Sequence, residues 1–336
     1  MSKRIGRRTA ALQTPPSVLS FANIGGRMEG QGPLAKYFDE LCEDSFFGEK
    51  TWEKAESAMQ KRVLQRALDQ AGLKPGELDC VLAGDLLNQC IGSSFGLRDF
   101  GIPFFGLYGA CSTMAESLCL AGMFVDAKLA SRCLAVTSSH FCSAERQFRF
   151  PLEYGGQRTP TAQWTVTGSG ACVVAGKDRP PYLRAVTVGT VEDLGVTDIN
   201  NMGAAMMPAA ASTLLRYFSA TGTSPQDFDA IFTGDLGEVG TALLHEQMAK
   251  EGLPLDNHKD CGCLLYDTNS QNVQAGGSGA GCSAAVLCGK ILPMLAAGQL
   301  RRVLFLATGA LMSQTTFLQG ESIPGIAHCV ELGGAV

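Results

Sequence analysis

Residues 109–114 read Gly-Ala-Cys-Ser-Thr-Met and lie between a predicted strand and a predicted helix. The apolar run Ile102–Leu107, followed by Tyr108, is typical of a buried strand. Residues Ala115–Met123 are rich in alanine, leucine and methionine, which favour a helix. The stretch therefore predicts an α/β unit with Cys111 at a strand-to-helix turn.

Cys111 allows two interpretations at this position. Backbone N–H groups and the positive end of the helix dipole lower a thiol pKa or bind an anion, so the turn fits a nucleophile or a ligand site. A small buried cysteine that only closes the turn fits equally well in a chain with 13 cysteines. The rest of the chain has to decide between them.

Composition narrows the class of protein. The chain has 336 residues, of which 46% are hydrophobic, enough for two domains or one duplicated unit. A net charge of −5 gives no electrostatic case for nucleic acid. The 13 cysteines have no framework spacing and no second pair at zinc-ligand spacing, which predicts reduced, intracellular thiols.

No signal peptide or membrane span is predicted. The first eight residues include four basic side chains, but Gln13 and two prolines follow where a signal peptide needs its apolar core. No run of 18 apolar residues occurs anywhere in the chain. We expect a cytoplasmic protein.

Periodicity and turn residues predict the main elements. Trp52–Ala71 has apolar residues at helical spacing and ends before Gly72. Residues 145–165 are rich in Arg, Gly, Pro and Gln and predict a long irregular segment. Strands are predicted over Ser17–Ala22, Leu78–Ala83, Cys133–Thr137 and Thr167–Ala175.

The second half of the chain repeats the first. Phe228–Leu236 matches Leu78–Leu86 at an offset of 150 residues, and both contain Gly-Asp-Leu. Arg302–Ala307 matches Arg132–Thr137 at an offset of 170, and Gly279–Ser283 echoes the Cys111 turn. Three blocks in one order indicate a duplicated α/β fold with halves 1–184 and 185–336. Such halves bring their strand ends toward one shared cleft.

A duplicated α/β chain with Gly-Ala-Cys-Ser at this turn resembles the thiolase and ketoacyl-synthase superfamily. Within it, the chain is similar to the stage V sporulation protein AD family of endospore-forming bacteria. The motifs that carry this resemblance are Ala83–Gln89, Gly109–Thr113, Thr137–His140, Ala144–Arg149, Glu153–Gln157, Thr165–Ala171, Thr233–Leu236, Ala275–Gly279 and Ile323–His328. They run through nearly the whole chain.

The resemblance implies a thiolase-like, duplicated five-layer αβαβα fold. It also implies a protein that binds dipicolinic acid, supports its uptake into the developing spore, and bears on germination. The implied partners are other stage V sporulation A proteins at the inner spore membrane, with this protein peripheral to that membrane in the forespore, and a second copy in a homodimer. No cofactor is expected, although calcium could accompany the ligand.

Catalysis in this superfamily needs two partners for the cysteine, a histidine with either histidine or asparagine. The positions expected to hold them contain Gly234-Asp235 and, in the Gly-rich turn, Ser278 or Cys282. An aspartate facing the thiolate would disfavour it by charge repulsion. We therefore expect no catalytic residues and a non-enzymatic protein.

The other histidines are poor substitutes. His245 is predicted on the solvent face of a helix and His258 in a polar loop, while His328 and Cys329 lie in a segment similar to the thiolases' second-cysteine strand. His140 follows a strand on the Cys111 side and is the histidine predicted to line the cleft, with a capped strand end as the alternative.

A small aromatic dicarboxylate could place one carboxylate at the helix start beside the Ser112 hydroxyl. The other could bind His140, Asn88 or an arginine, with Arg146, Arg149 and Arg158 as candidates that serve equally well in surface ion pairs. The two Gly-Asp aspartates fit a structural role better, with Asp85 the nearer to ligand. The predicted ligand-binding residues are Cys111, Ser112, Asp85, Asn88, His140, Asp235, Gly277 and Ser278.

Two other functions stay open at this point. An acyltransferase of the thiolase or ketoacyl-synthase type would use Cys111 to accept an acyl group from acyl-CoA or acyl carrier protein. A scaffold for membrane partners would leave the cleft without a ligand. The absent histidine and asparagine favour ligand binding.

Overall fold

The computed structural model describes residues 3–148 and 158–334. The strands are β1 (Lys3–Arg4), β2 (Thr9–Ala11), β3 (Ser17–Gly25), β4 (Glu40–Leu41), β5 (Cys80–Gly84), β6 (Phe104–Gly106), β7 (Arg132–Ser139), β8 (Trp164–Thr165), β9 (Gly168–Ala175), β10 (Tyr182–Thr187), β11 (Ala230–Thr233), β12 (His258–Asp260), β13 (Gly277–Ser278), β14 (Arg302–Ala310) and β15 (Gly325–Gly333). The helices are α1 (Trp52–Ala71), α2 (Ile91–Leu97), α3 (Thr113–Asp126), α4 (Phe141–Phe148), α5 (Met202–Thr221), α6 (Gly237–Lys250), α7 (Cys261–Leu265), α8 (Ala280–Val286), α9 (Leu292–Ala296) and α10 (Gln314–Leu318).

The main strands form two five-stranded sheets with the same topology. The first sheet has the order β3-β9-β7-β5-β6 and the second the order β10-β15-β14-β11-β12. In each, the two strands after the central one run parallel to it, and the two on its other side alternate as antiparallel neighbours. Strands β3 and β10 join the sheets where Ser17 pairs with Tyr182. The predicted duplication is therefore present in the fold.

Helices cover both sheets and fill the space between them. Helix α1 packs on the outer face of the first sheet, and α5 packs on the outer face of the second. Helices α3 and α8 lie between the sheets, where their apolar side chains belong to one shared core. The order of layers is αβαβα, as the sequence predicts. Within residues 3–148 and 158–334, no helix combines the length and the apolar character that a bilayer crossing needs.

Helix α1 has the bounds predicted for it. The Thr51 side chain accepts a hydrogen bond from the Lys54 N–H (3.4 Å), and Gly72 adopts a left-handed conformation at φ 66°. The predicted strands also occur, most of them with slightly shifted ends. The helix after Cys111 is longer than predicted because Thr113 and Val125 are buried with its apolar face.

Three local predictions are wrong. Strand β6 is exposed rather than buried, because it is the last strand of the first sheet. His258 lies in β12, parallel to β11, rather than in a loop. The start of the predicted irregular segment, up to Phe148, belongs to α4. The motif Glu153–Gln157 lies outside the described residues.

The two halves make a close backbone contact at Cys111. Gly309, near the end of β14, approaches the turn so tightly that an added Cβ would lie 2.5 Å from the Gly109 carbonyl oxygen. The same Cβ would lie 3.1 Å from the Ser112 nitrogen. A residue without a side chain is needed here so that the second half can touch the turn of the first.

We expect Gly309→Ala to destabilise the protein by about 1–3 kcal/mol, since overpacking a tight contact costs this much. Gly176→Ala is the matched control, because a Cβ there meets no atom within 4 Å. Calorimetric thermal midpoints of both variants test this. Equal midpoints would contradict the close contact.

Candidate functional site

The Cys111 turn uses much of its own hydrogen-bonding capacity. The Ser112 N–H donates to the Gly109 carbonyl (3.1 Å), and the Thr113 N–H donates to the Ala110 carbonyl. The Ser112 hydroxyl also donates to Gly109 (2.6 Å) and is fully buried. The turn itself thus uses these N–H groups and this hydroxyl, and Ser112 is not among the cavity-lining residues, so its contact with a ligand carboxylate stays a prediction.

The thiol of Cys111 faces the carboxylate of Asp235. The thiol lies against this carboxylate, and the Ser278 hydroxyl and the Gly279 N–H lie beside both groups. Burial, and then the negative charge of Asp235, raise the pKa of the Cys111 thiol well above its usual value. The thiol is therefore protonated near neutral pH.

Asp235 is fully buried and surrounded by donors. Its carboxylate accepts hydrogen bonds from the Thr308 hydroxyl (2.8 Å), the Ser278 hydroxyl (3.0 Å) and the Gly279 N–H (2.9 Å). Burial raises the pKa of Asp235 to about 6 in spite of these bonds. The Asp235 carboxylate therefore bonds to protein groups, and these bonds hold β14 and the Gly-rich turn in place through Thr308, Ser278 and Gly279.

A cavity of about 310 Å³ begins at Cys111. Its walls are mostly apolar, and Cys111, Ser278 and Gly279 form one side. The other residues that line it are Leu86, Tyr108, Ala110, Ala144, Glu145, Phe148, Thr165, Met202, Met206, Ala310, Leu311, Met312, Ser313 and Thr316. The volume is at the small end of the roughly 300–1,000 Å³ found for small-molecule pockets.

The structure resolves which residue of the Gly-rich turn faces Cys111. It is Ser278, because Cys282 is fully buried and its thiol lies 3.5 Å from the Gly234 carbonyl oxygen. Gly277 belongs to β13, and its carbonyl accepts a hydrogen bond from the Gln163 side chain (2.8 Å). Gly277 is thus behind the cavity wall rather than part of it.

Asp85 does not share the environment of Asp235. Its carboxylate accepts from the Leu87 N–H (2.9 Å), and from the N–H (2.7 Å) and hydroxyl (2.6 Å) of Ser93. Burial raises its pKa, and its charge helps to raise the pKa of buried Glu56 to about 8. Asp85 holds the end of β5 and does not line the cavity.

His140 is buried away from the cavity, contrary to prediction. Its Nε2 lies 2.7 Å from the Ser45 carbonyl oxygen, and its ring packs edge-on against Phe47. Burial lowers its pKa. Asn88 is exposed at the rim, where its side chain accepts a hydrogen bond from the Tyr108 hydroxyl (3.1 Å).

None of the four histidines, all within the described residues, lines the cavity. His245 is exposed as predicted, and its Nε2 lies 3.0 Å from Nδ1 of His258. His328 accepts a hydrogen bond from the Gly189 N–H, and burial lowers its pKa to about 4. Cys329 is fully buried. Over residues 3–148 and 158–334, no three His, Cys, Asp or Glu side chains are grouped to hold a metal ion.

Glu145 is a site residue that sequence reasoning missed. It belongs to the motif Ala144–Arg149, and its carboxylate lines the cavity and pairs with Arg158 (3.1 Å). Arg146 instead pairs with Glu53 on the protein surface. Arg149 lies outside the described residues. An acid directly before Arg146, with two further arginines downstream, is the signal that could have indicated this pair.

Comparisons with known proteins identify a family. The sequence pattern of the family described as stage V sporulation protein AD matches residues 6–333. Stage V sporulation protein AD of Bacillus subtilis (strain 168) is 43% identical over 337 residues, which cover 99% of each chain.

Solved structures share the fold. The 3-oxoacyl-[acyl-carrier-protein] synthase III of Aquifex aeolicus is 14% identical, with a TM-score of 0.56 over 95% of this chain and 99% of its own. The cerulenin-bound OleA of Xanthomonas campestris is 13% identical, with a TM-score of 0.60 over 96% of this chain and 97% of its own. These likenesses confirm the predicted thiolase-type fold, and at such identity they show the fold alone.

We expect Asp235→Asn to raise the rate at which iodoacetamide alkylates Cys111. Removal of the negative charge that faces Cys111 lowers the pKa of its thiol. At a pH below that pKa, a decrease of the pKa by one gives about tenfold more thiolate. Peptide mapping by mass spectrometry between about pH 7 and pH 9.5 measures the rate. Asp85→Asn, a buried carboxylate away from the cavity, is the control. An unchanged rate in Asp235→Asn would mean that this charge does not control the thiol.

Proposed function

This chain belongs to the stage V sporulation protein AD family, and we propose that it is a non-catalytic protein that binds dipicolinic acid. The ligand enters free or as its calcium chelate, and the protein supports its uptake into the developing spore. The observation that carries this proposal is the buried contact between the Cys111 thiol and the Asp235 carboxylate at one wall of an apolar cavity.

The surroundings of Cys111 oppose nucleophilic catalysis. A nucleophilic cysteine needs a lowered pKa and a neighbouring base, whereas burial and Asp235 act in the opposite direction here. An acyl-transfer intermediate would also place an oxyanion close to the Asp235 carboxylate, which repels it. Ser278 supplies one hydroxyl at this point and no imidazole.

The cavity suits a small aromatic molecule. Its size and apolar walls match one aromatic ring with short substituents, and side chains such as Phe148 and Leu86 can pack on the ring faces. The protonated thiol contributes a polarizable apolar surface beside the ring. Polar groups at Ser278 and Thr165 are placed to orient substituents.

One observation favours an acyltransferase as the second candidate. Cys111 lines the cavity at the start of a helix in a fold shared with acyl-condensing enzymes, and the Gly279 N–H lies against its sulfur. In that function an acyl group from acyl-CoA or acyl carrier protein would be transferred to Sγ, with release of the carrier thiol.

Calorimetric titration with dipicolinic acid, with and without calcium, tests the proposal. We expect saturable one-to-one binding that exceeds the binding of benzoate and acetyl-CoA. Cys111→Ala should weaken dipicolinate binding by only about fivefold, the equivalent of the ~1 kcal/mol of one weak contact. Cys111→Ser, which keeps a small polar side chain, is the matched control.

Acetyl-CoA binding without a dipicolinate signal would contradict the proposal and support the acyltransferase. Mass spectrometry then has to find an acyl group on Cys111 and none on Cys111→Ala. Absence of binding to both dipicolinic acid and acetyl-CoA would contradict both functions and favour a scaffold for membrane partners.

The partners follow from the same proposal. We propose that the protein acts in the forespore beside the inner spore membrane, together with other stage V sporulation A proteins. We also propose a homodimer formed through β6. This strand ends the first sheet, and its exposed side chains include Phe104 and Phe105, an arrangement that attracts a second strand unless it is covered.

We expect Phe104→Glu to convert the dimer into a monomer, because it places a charge in the shared edge. Size-exclusion chromatography with light scattering gives the mass directly. Leu318→Glu, which charges an exposed apolar side chain remote in sequence from β6, should leave the dimer intact. A wild-type monomer, or equal masses for both variants, would overturn this interface.

A further inference from the structure

Arg158 is held in a fixed position next to the cavity. Its guanidinium lies 5.4 Å from the ring centre of Phe141 and 5.0 Å from that of Trp164, and these two rings stack at 4.0 Å. Its Nη1 donates to the Gln163 carbonyl (2.6 Å). The side chain is only 19% exposed, so the cation–π contacts are partly desolvated and correspondingly stronger. Aromatic and backbone contacts therefore hold the guanidinium independently of any carboxylate.

The carboxylate that pairs with Arg158 is part of the cavity wall. Oε1 of Glu145 lies 3.1 Å from Nη2 of Arg158 and accepts a hydrogen bond from the Thr165 hydroxyl (2.8 Å). Glu145 is 2% exposed, and it is the one charged side chain among the described residues that line the cavity. A carboxylate thus lies between the cavity and a fixed guanidinium.

We infer that Arg158 is the carboxylate-binding residue of this cavity and that Glu145 occupies its place until a ligand arrives. A ligand carboxylate replaces Glu145 on the guanidinium, whose planar fork matches a carboxylate with two parallel hydrogen bonds. This inference rests on the proposed function, because it names the group that recognises the acidic part of the ligand.

Other cations and donors fit this task less well. Arg146 is on the surface, stacked on Trp52 and paired with Glu53. His140 is turned toward Ser45. Among the described residues, no lysine or arginine lines the cavity, and Arg158, one side chain behind the wall, is a guanidinium that pairs directly with a lining residue.

If a ligand carboxylate replaces Glu145 on Arg158, substitutions of these two residues should change the affinity for the ligand in opposite directions. Removal of the guanidinium takes away the carboxylate receptor, whereas removal of the Glu145 charge takes away an internal competitor. Glutamine at 145 keeps an oxygen for the Thr165 hydroxyl and nearly the same volume. A pair that only supported the wall would instead lose binding when either member is changed.

Calorimetric titration of the full chain with dipicolinate, benzoate and the neutral pyridine-2,6-dicarboxamide tests the inference. Arg158→Gln should weaken dipicolinate and benzoate by about tenfold to a hundredfold, the size of a charged hydrogen bond, and leave the diamide unchanged. Glu145→Gln should tighten both acids severalfold. Arg158→Lys, which keeps the charge without the fork, should lie between wild type and Arg158→Gln, and circular dichroism confirms that each variant is folded.

Weaker binding in both Arg158→Gln and Glu145→Gln, or equal losses for the acids and the diamide, would overturn the inference. Failure of the proposed function has a different signature. Wild-type protein that binds benzoate but not dipicolinate contradicts dipicolinate as the ligand, and the same variants then judge Arg158 with benzoate. Absence of any carboxylate binding overturns both.

Discussion

The buried carboxylate of Asp235 is the interaction on which the site depends. A buried charge is costly unless polar groups surround it, and here these groups come from three separate segments. Thr308 lies near the end of β14, Ser278 and Gly279 belong to the Gly-rich turn, and the Cys111 thiol, in the turn before α3, lies against the same carboxylate. Satisfying this one group fixes all three segments relative to each other, and the cavity wall is built from them. It also sets the state of the thiol, since the same charge that needs donors keeps the proton on Cys111.

The two halves of the duplicated fold differ at equivalent positions, and these differences explain why Asp235 lies at the cavity wall and Asp85 does not. The same Gly-Asp-Leu motif ends β5 and β11, yet Asp85 is satisfied within its own half by Ser93 and the Leu87 N–H. At the offset of 170 residues, His140 corresponds to Ala310, which lines the cavity in the other half. The equivalent of Gly309 is Ser139, whose hydroxyl accepts from the Gly281 N–H (3.0 Å) and closes that corner. Both halves line the cavity, and small differences at equivalent positions leave room for it at Ala310 while His140 fills the corresponding place in the first half.

Local and repeated patterns were predictable from the sequence. Helix α1 has an amphipathic face, a Thr51 cap and Gly72, so local physics sets both of its ends. The facing of Cys111 and Asp235 followed from the duplication and the superfamily resemblance. The exposure of β6 was not predictable, because a short apolar run looks the same in a buried strand and at a sheet edge. The orientation of His140 depends on Ser45 and Phe47, about 95 residues earlier, and no pattern in the sequence connects them.

The chemistry of the wall supports the proposed binding function over catalysis, a choice that the fold alone does not make. The Ser278 hydroxyl donates to the Asp235 carboxylate, and the protonated Cys111 thiol lies against the same group, so a carboxylate rather than a cation stands behind this side of the cavity. The Cys111 thiol and the Ser278 hydroxyl therefore present mainly van der Waals surface and lone pairs to a molecule in the cavity. Under the proposed function, recognition of an acidic ligand falls to Glu145 and Arg158, which adjoin Thr165, the partner of Ser278 in the β8–β13 pair. In that proposal, the charge that keeps Cys111 protonated also determines where in the cavity an acidic ligand is recognised.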